Sequence, residues 1–394
     1  MADDSIIVAG GGIGGLATAL GLARKGFRAT VLEQADRFGE IGAGIQLGPN
    51  AFHCFDWLGV GPAARAGAVY IDGLVLMDSH SDDEVCRIPV DEPFRQRFGN
   101  PYAVVHRADL HRVLFDACVA SDRIELVTGQ RVTAYDQDGD SVSVTTAAGT
   151  RFTGRALVGA DGLRSAVRQQ LVGDGEPRVS GHTTYRSVIP TERMPEALRW
   201  NAATLWAGRR CHIVHYPLSG WKVFNLVVTF HSDADAPVAG KPVPKSLVRQ
   251  GFEHIADRPR SLIEAADDWK MWVLCDRDPQ ERWVDGRVVL LGDAAHPMLQ
   301  YMAQGACMAM EDAVCLAEML SRHDGAIGPA LGAYAARRLV RTARVQMSSR
   351  LMGDYVYHAD GPGRLVRNAV LGAKSPAQFY DSLAWLYGGN GLEG

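Results

Sequence analysis

Short apolar runs alternate with glycine clusters and helical stretches from the start of the chain. Ser5 to Glu33 reads SIIVAGGGIGGLATALGLARKGFRATVLE. The runs on either side of the alanine- and leucine-rich segment have the length of buried strands, and the segment between them has helical character. Strand, tight turn, helix and parallel strand make one βαβ unit. Helical patterns return at Ala51 to Leu58 and Arg107 to Ala120. Glu125–Val127, Arg131–Gln137, Ser141–Thr146 and Thr150–Thr153 alternate with turn signals such as Asp138-Gly139-Asp140, and predict a small antiparallel meander. A further buried strand, Ala156–Ala160, runs into Asp161-Gly162 and a helix start bearing Ser165 and Arg168.

From Val179 to Asp276 the pattern changes to period-two alternation, at Thr183–Ile189, Ala203–Ala207, His212–Tyr216, Lys222–Phe230 and Lys270–Leu274, with one helical segment at Lys245–Ile255. That reads as a mostly antiparallel sheet. Within it, His212, Val214 and Tyr216 share one face, and His215 points to the other and receives no role. After this sheet Val288–Leu291 is again a buried strand, Gly292-Asp293 a sharp turn, and Gly305 opens a long helix. Pro329 to about Leu351 is helical, and the tail is mixed helix and glycine.

The first glycine cluster carries chemistry. Gly10, Gly12 and Gly15 fill G-x-G-x-x-G, which allows a tight turn, close approach of a pyrophosphate, and helix packing on strand. Glu33 ends the second strand, where a carboxylate accepts the hydroxyls of an unphosphorylated ribose, as in FAD or NAD. The four-glycine stretch Phe38–Ala51 is either a backbone seat for a flat or anionic group or a plain surface loop. Arg107, at a helix entrance, either reaches a phosphate or flavin edge or forms a salt bridge.

Composition narrows the class without changing this outline. The 394 residues are 47% hydrophobic and 22% charged with net charge −4, ordinary for a globular protein and without a basic field for nucleic acid. Arg337, Arg338, Arg341 and Arg344 are expected to form a solvated or interface-lining helix face. Seven scattered cysteines without a C-x-x-C pair suit reduced thiols, and no metal site is expected. The acidic start and the lack of a spanning apolar run point to a cytoplasmic protein.

Three blocks in order carry a resemblance over nearly the whole chain: GGGIGG with Glu33, GADGLRSAVR at Gly159–Arg168, and GDAAHP from Gly292. Together they are similar to the single-component FAD-dependent aromatic hydroxylases, the class A flavoprotein monooxygenases. The resemblance implies bound FAD, with Gly10, Gly12, Ile13, Gly14, Gly15 and Gln46 among its contacts and Glu33 on the adenosine ribose. It implies Arg107 near the phosphates or flavin, Gly292 and Asp293 at the ribityl chain or pyrophosphate, and Gly305 and Ala306 beside the flavin ring. Asp161 would serve both FAD and the nicotinamide cosubstrate. The implied fold is α/β: a discontinuous Rossmann-like FAD-binding domain (1–75, 101–178 and 280–325), an inserted mostly antiparallel substrate-binding sheet (76–100 and 179–279), and a C-terminal helical region (326–394). No second dinucleotide domain is expected.

Where the family usually has proline, glycine and asparagine, this chain has Gln300, Ala303 and Cys307. In this loop it resembles in particular the 3-hydroxybenzoate 6-hydroxylases, which form gentisate, and their substrate-strand His and Tyr match His212 and Tyr216. That implies NADH and O₂ as cosubstrates, His212 as base or hydrogen-bond partner, Tyr216 orienting the ring, and Gln300 stabilising the phenolate. His296 would hold the loop that carries Gln300. No arginine announces itself in the substrate strands for the substrate carboxylate, and Arg186 is named without a pattern behind it. A homodimer is expected. The alternatives are a decarboxylating hydroxylase of salicylate or 6-hydroxynicotinate, and a flavin oxidase or reductase without oxygen insertion.

Overall fold

The computed structural model describes residues 4–39 and 44–389. Its first sheet follows the glycine blocks. Edge to edge it runs Val284–Asp285, Val288–Leu290, Ala156–Gly159, Ser5–Ala9, Arg28–Leu32 and Ile124–Val127. Every neighbouring pair is parallel except the first. Ser5–Ala9 is buried along its whole length because helices cover the sheet, as parallel sheets require. Strands distant in sequence thus lie side by side, and their C-terminal ends open at one edge, where ligands of open α/β sheets bind.

The run near Glu125 does not join the meander. Ile124–Val127 pairs in parallel with Arg28–Leu32, and the meander is limited to Val132–Gln137, Val142–Thr146 and Arg151–Gly154. The helix Arg107–Val119 before it makes this a crossover unit, a tertiary connection that local alternation cannot distinguish from a hairpin.

The second sheet has eight strands, in the order Lys241–Val243, Trp269–Asp276, Arg178–Pro190, Val223–His231, Cys211–Leu218, Ala202–Gly208, Gly73–Asp78 and Glu84–Pro89. It is antiparallel except where Gly73–Asp78 meets Ala202–Gly208. A boundary at residue 75 therefore falls inside a strand of this sheet. The helical segment expected at Lys245–Ile255 breaks after Arg249, and a second helix spans Asp257–Ala265. Gly251 sits at the break, where a Cβ would come within 2.5 Å of the Phe230 ring. Of the four-glycine stretch, residues 40–43 lie outside the described residues; Gly44–Leu47 is a strand and Pro49–Leu58 a helix.

The long helix Ile327–Met352 unwinds into a π-helical turn, Gly353–Tyr357. Gly353 permits this packing, since a Cβ there would lie 2.8 Å from the Tyr301 ring. The late arginines are not one solvated face. Arg338 is fully buried, its guanidinium 2.6 Å from Asp312 and 2.7 Å from Glu311, and Arg341 pairs with Glu311 at 2.6 Å. Arg344 stacks on Trp385 at 3.8 Å. The helix turns positions three apart to the same side, so the tract divides between inside and outside. None of the seven cysteines forms a disulfide. Among the described residues no helix is long and apolar enough to cross a membrane.

Burial pushes Asp312 up, but His296 and Arg338 outweigh it and hold its pKa at about 2. Its contribution to stability is therefore full at neutral pH and is lost as pH falls from about 4, the unfolded value, towards about 2. Arg338→Met leaves two buried carboxylates short of a counter-charge and should destabilise the fold by about 3–5 kcal/mol. Equilibrium denaturation at neutral pH measures it; a loss under about 1 kcal/mol would show that the pair is dispensable.

Candidate active site

The glycine turn can be built only from glycine at two of its positions. Gly10 has φ +107°, and a Cβ there would lie 2.3 Å from the Ala160 carbonyl oxygen. A Cβ at Gly15 would lie 1.9 Å from the carbonyl oxygen of Gly10. Gly12 precedes the helix Ile13–Arg24 with no side chain capping it, so the first N–H groups remain for an anion. Glu33 Oε2 accepts the Gly11 N–H at 2.8 Å and Oε1 accepts the Ala35 N–H at 2.8 Å. Each oxygen keeps a lone pair for a ribose hydroxyl. His111, which the sequence reading passed over, lies 2.8 Å from the Gly11 carbonyl through Nε2.

Asp161 holds the next turn. Its Oδ2 accepts from the backbone of Ala166 at 2.8 Å and Val167 at 3.3 Å, Oδ1 has no partner among the described residues, and burial raises its pKa. Ser165 caps the following helix through Arg168 N–H. The Arg168 side chain then crosses to the third block, donating to the carbonyls of Ala294 at 3.0 Å and Ala295 at 2.7 Å while pairing with Asp174. On the far side Asp312 Oδ2 accepts the Gly292 N–H at 3.0 Å and lies 2.5 Å from His296 Nε2. Buried side chains thus fix the Gly292-Asp293 turn from both sides.

One cavity of about 390 Å³ connects these turns with the second sheet. Of the expected cofactor contacts, Gly12, Ile13, Gly14, Gln46, Arg107, Gly292, Asp293, Gly305 and Ala306 line it. Gly10, Gly15, Glu33 and Asp161 do not, and shape or flank the turns behind it. The expected catalytic trio, His212, Tyr216 and Gln300, lines the same cavity, as does Arg186. Its size falls within the range of ordinary ligand sites.

Alternation along Cys211–Leu218 sends His212, Val214 and Tyr216 into the cavity. His215 is buried on the opposite face beside Trp200. His212 is 1% exposed, and burial, with His182 and His231 nearby, lowers its pKa well below the usual value. Tyr216 is pushed up by burial. Gln300 is already engaged: its amide nitrogen donates to Thr184 Oγ1 at 3.2 Å and Thr229 Oγ1 at 3.1 Å, and its oxygen accepts from Arg186 Nη2 at 3.1 Å. Arg186 lies over the Trp272 ring at 5.5 Å, and its Nε has no partner among the described residues. No carboxylate pairs with it among the described residues, and burial lowers its pKa.

Sequence reasoning missed the contribution of the C-terminal region. Tyr357 lines the cavity and stands edge-on to His212 with ring centroids 4.8 Å apart, and His358 bonds His212 from behind. The only signal was the run Tyr355-Val356-Tyr357-His358 after a long helix, which has no spacing that points to a site.

The glycine cradle, the uncapped helix start and the orphan Asp161 oxygen fit a dinucleotide such as FAD. Residues 3–349 match the family model described as FAD binding domain. The 3-hydroxybenzoate 6-hydroxylase 1 of Aquipseudomonas alcaligenes is 54% identical over 99% of each chain. The 3-hydroxybenzoate 6-hydroxylase of Klebsiella oxytoca is 48% identical over 97% of this chain and 96% of its own. Among solved structures, Klebsiella pneumoniae HpxO complexed with FAD and uric acid superposes with a TM-score of 0.86 at 28% identity, covering 98% of this chain and 97% of that one. The chain belongs to the family of FAD-dependent aromatic hydroxylases.

Proposed function

We propose that this protein hydroxylates a phenolic acid para to its hydroxyl group, converting 3-hydroxybenzoate to gentisate with NADH and O₂. The observation that carries the reading is the shared cavity, in which the dinucleotide turns face His212, Tyr216, Gln300 and an unpaired buried arginine. The relatives named 3-hydroxybenzoate 6-hydroxylase support the same substrate. FAD, once reduced by NADH, supplies the activated oxygen.

The chain's own residues bind, orient and deprotonate. Glu33 takes the ribose hydroxyls, the helix start at Gly12–Gly14 the pyrophosphate, and Asp293 with Gly305 and Ala306 the ribityl and ring end. On this reading the segments up to residue 72, 101–177 and 280–325 hold the cofactor, 73–100 and 178–279 the substrate face, and the region after 326 closes the cavity through Tyr357. His212 Nε2 accepts the phenolic proton, which makes the para carbon electron-rich; positioned groups of this kind contribute on the order of 10²–10⁴ in rate. Tyr216 orients the ring. Arg186 receives the carboxylate, whose charge completes a pair the protein leaves incomplete. Gln300 acts through Arg186: both amide hydrogens are engaged by Thr184 and Thr229, and its oxygen fixes the guanidinium.

The protein is proposed to be cytoplasmic, where NADH and reduced thiols belong, and to be a homodimer. Val340, Met347 and Leu351 are 72%, 57% and 66% exposed. Their spacings of seven and four put them on one side of the long helix, and Leu365, Val366 and Val370 are a second exposed apolar set on the helix Gly361–Gly372. Leu351→Lys should shift sedimentation from dimer to monomer; a monomeric parent protein would sink the proposal.

Purified protein with NADH, air and 3-hydroxybenzoate should form gentisate in step with NADH consumed. Peroxide without gentisate would assign another phenolic acid, or an oxidase lacking oxygen insertion. Arg186→Met removes a charge-assisted contact worth about 1.5–3 kcal/mol, so KM should rise about tenfold to a hundredfold. An unchanged KM would assign the carboxylate elsewhere.

A further inference from the structure

Three imidazoles lead from the cavity to the protein surface. His212 Nε2 has no protein partner among the described residues and its ring lines the cavity, while Nδ1 lies 2.8 Å from His358 Nε2. His358 Nδ1 in turn lies 2.8 Å from His231 Nε2. His212 and His358 are buried; His231 is half-buried, and no protein group bonds its Nδ1 among the described residues. The rings come from neighbouring strands, Cys211–Leu218 and Val223–His231, and from the residue that follows the π-helical turn. Tyr357 and Tyr301 stand edge-on to His212, at 4.8 and 5.6 Å between centroids, and fix its plane.

We propose that His212, His358 and His231 form a proton relay that carries the phenolic proton of the bound substrate to solvent. This rests on the reading of His212 as the group that deprotonates the substrate. With every ring protonated on Nδ1, the phenolic O–H bond breaks as its proton bonds to His212 Nε2, and the electron pair stays on the ring oxygen. His212 passes its Nδ1 proton to His358 Nε2, His358 passes its own to His231 Nε2, and His231 releases its Nδ1 proton to water. One phenolate and one hydrated proton result, and the three rings end neutral with their tautomers reversed. The reverse passage, returning a proton to the product's phenolate, restores them.

Neutral passage matters here because burial, and then the neighbouring histidines, lower the pKa of His212 and of His358, so neither ring can store the proton. At the exit Arg210 lies near His231, offset by Asp354 and by Asp233, to which Arg210 is paired at 2.7 Å. A metal is the competing use of this cluster, since one ligand atom each of His182, His231 and His358 lies within 4.8 Å of the others. The rings oppose it. His182 and His231 stack at 3.9 Å, and His182 Nδ1 is already 2.5 Å from Tyr301 Oη. The 2.8 Å contact between His358 and His231 is also shorter than the roughly 3.3 Å between two nitrogens on tetrahedral zinc.

The test is stopped-flow mixing of the oxidised holoenzyme with 3-hydroxybenzoate in weak buffer with a pH-indicator dye, without NADH. The parent protein should release one proton for each substrate bound. His358→Phe and His231→Gln should each slow that release about tenfold or more while keeping FAD, and imidazole in the buffer should restore the His231→Gln rate. His231, half-exposed, guards against misfolding of the buried variant. A parental rate in either variant overturns the relay. Absence of release by the parent protein, or unchanged release in His212→Gln, would instead refute the deprotonating role of His212.

Discussion

Asp312 is the point at which the separate parts of this site are tied together. One of its oxygens takes the backbone N–H of Gly292 and the ring of His296, and the other takes Arg338. The first contact sets the turn that carries Asp293, the second the chain leading to Gln300, and the third the helix that ends at Tyr357 and His358. A buried carboxylate in this position is tolerable only because its partners are charged or donate directly to it. The cluster continues through Glu311 to Arg341 and Asn50, so it also holds the helix Pro49–Leu58. Cofactor turn, substrate loop and C-terminal wall therefore share one electrostatic anchor.

The parts of the fold that were legible are those in which local pattern and tertiary role coincide. A strand, three spaced glycines and an acid are readable because the close backbone approach at Gly10 and Gly15 admits no side chain. Period-two alternation put His212 and Tyr216 on a common face without knowledge of what they face. The run at Ile124–Val127 was misassigned because the pairing partner of a strand is chosen by its crossover, which alternation does not record. Arg338 was misread for a similar reason. Four arginines on a helix look solvated until two acids on another helix turn one side inward.

His358 and Arg186 mark the other limit. Neither belongs to a spaced motif, and each acquires meaning from a neighbour far along the chain: His212 for the first, Gln300 for the second. The glutamine at 300, read from sequence as a free amide for a phenol, is instead bound on its nitrogen by two threonines. Its chemistry is transmitted to the guanidinium that its oxygen holds.

Charge accounting joins these features. Arg186 is a buried cation in the cavity with no acid paired to it among the described residues, and burial disfavours protonation of His212 and of His358 behind it. In the proposed reaction a benzoate carboxylate would satisfy the cation. A phenolate beside His212 would add a second negative charge, so a proton lodged on His212 would be drawn back to it. Separation of the two charges requires that the proton leave the low-dielectric region, and the distance to solvent is bridged by two further imidazoles at hydrogen-bond spacing.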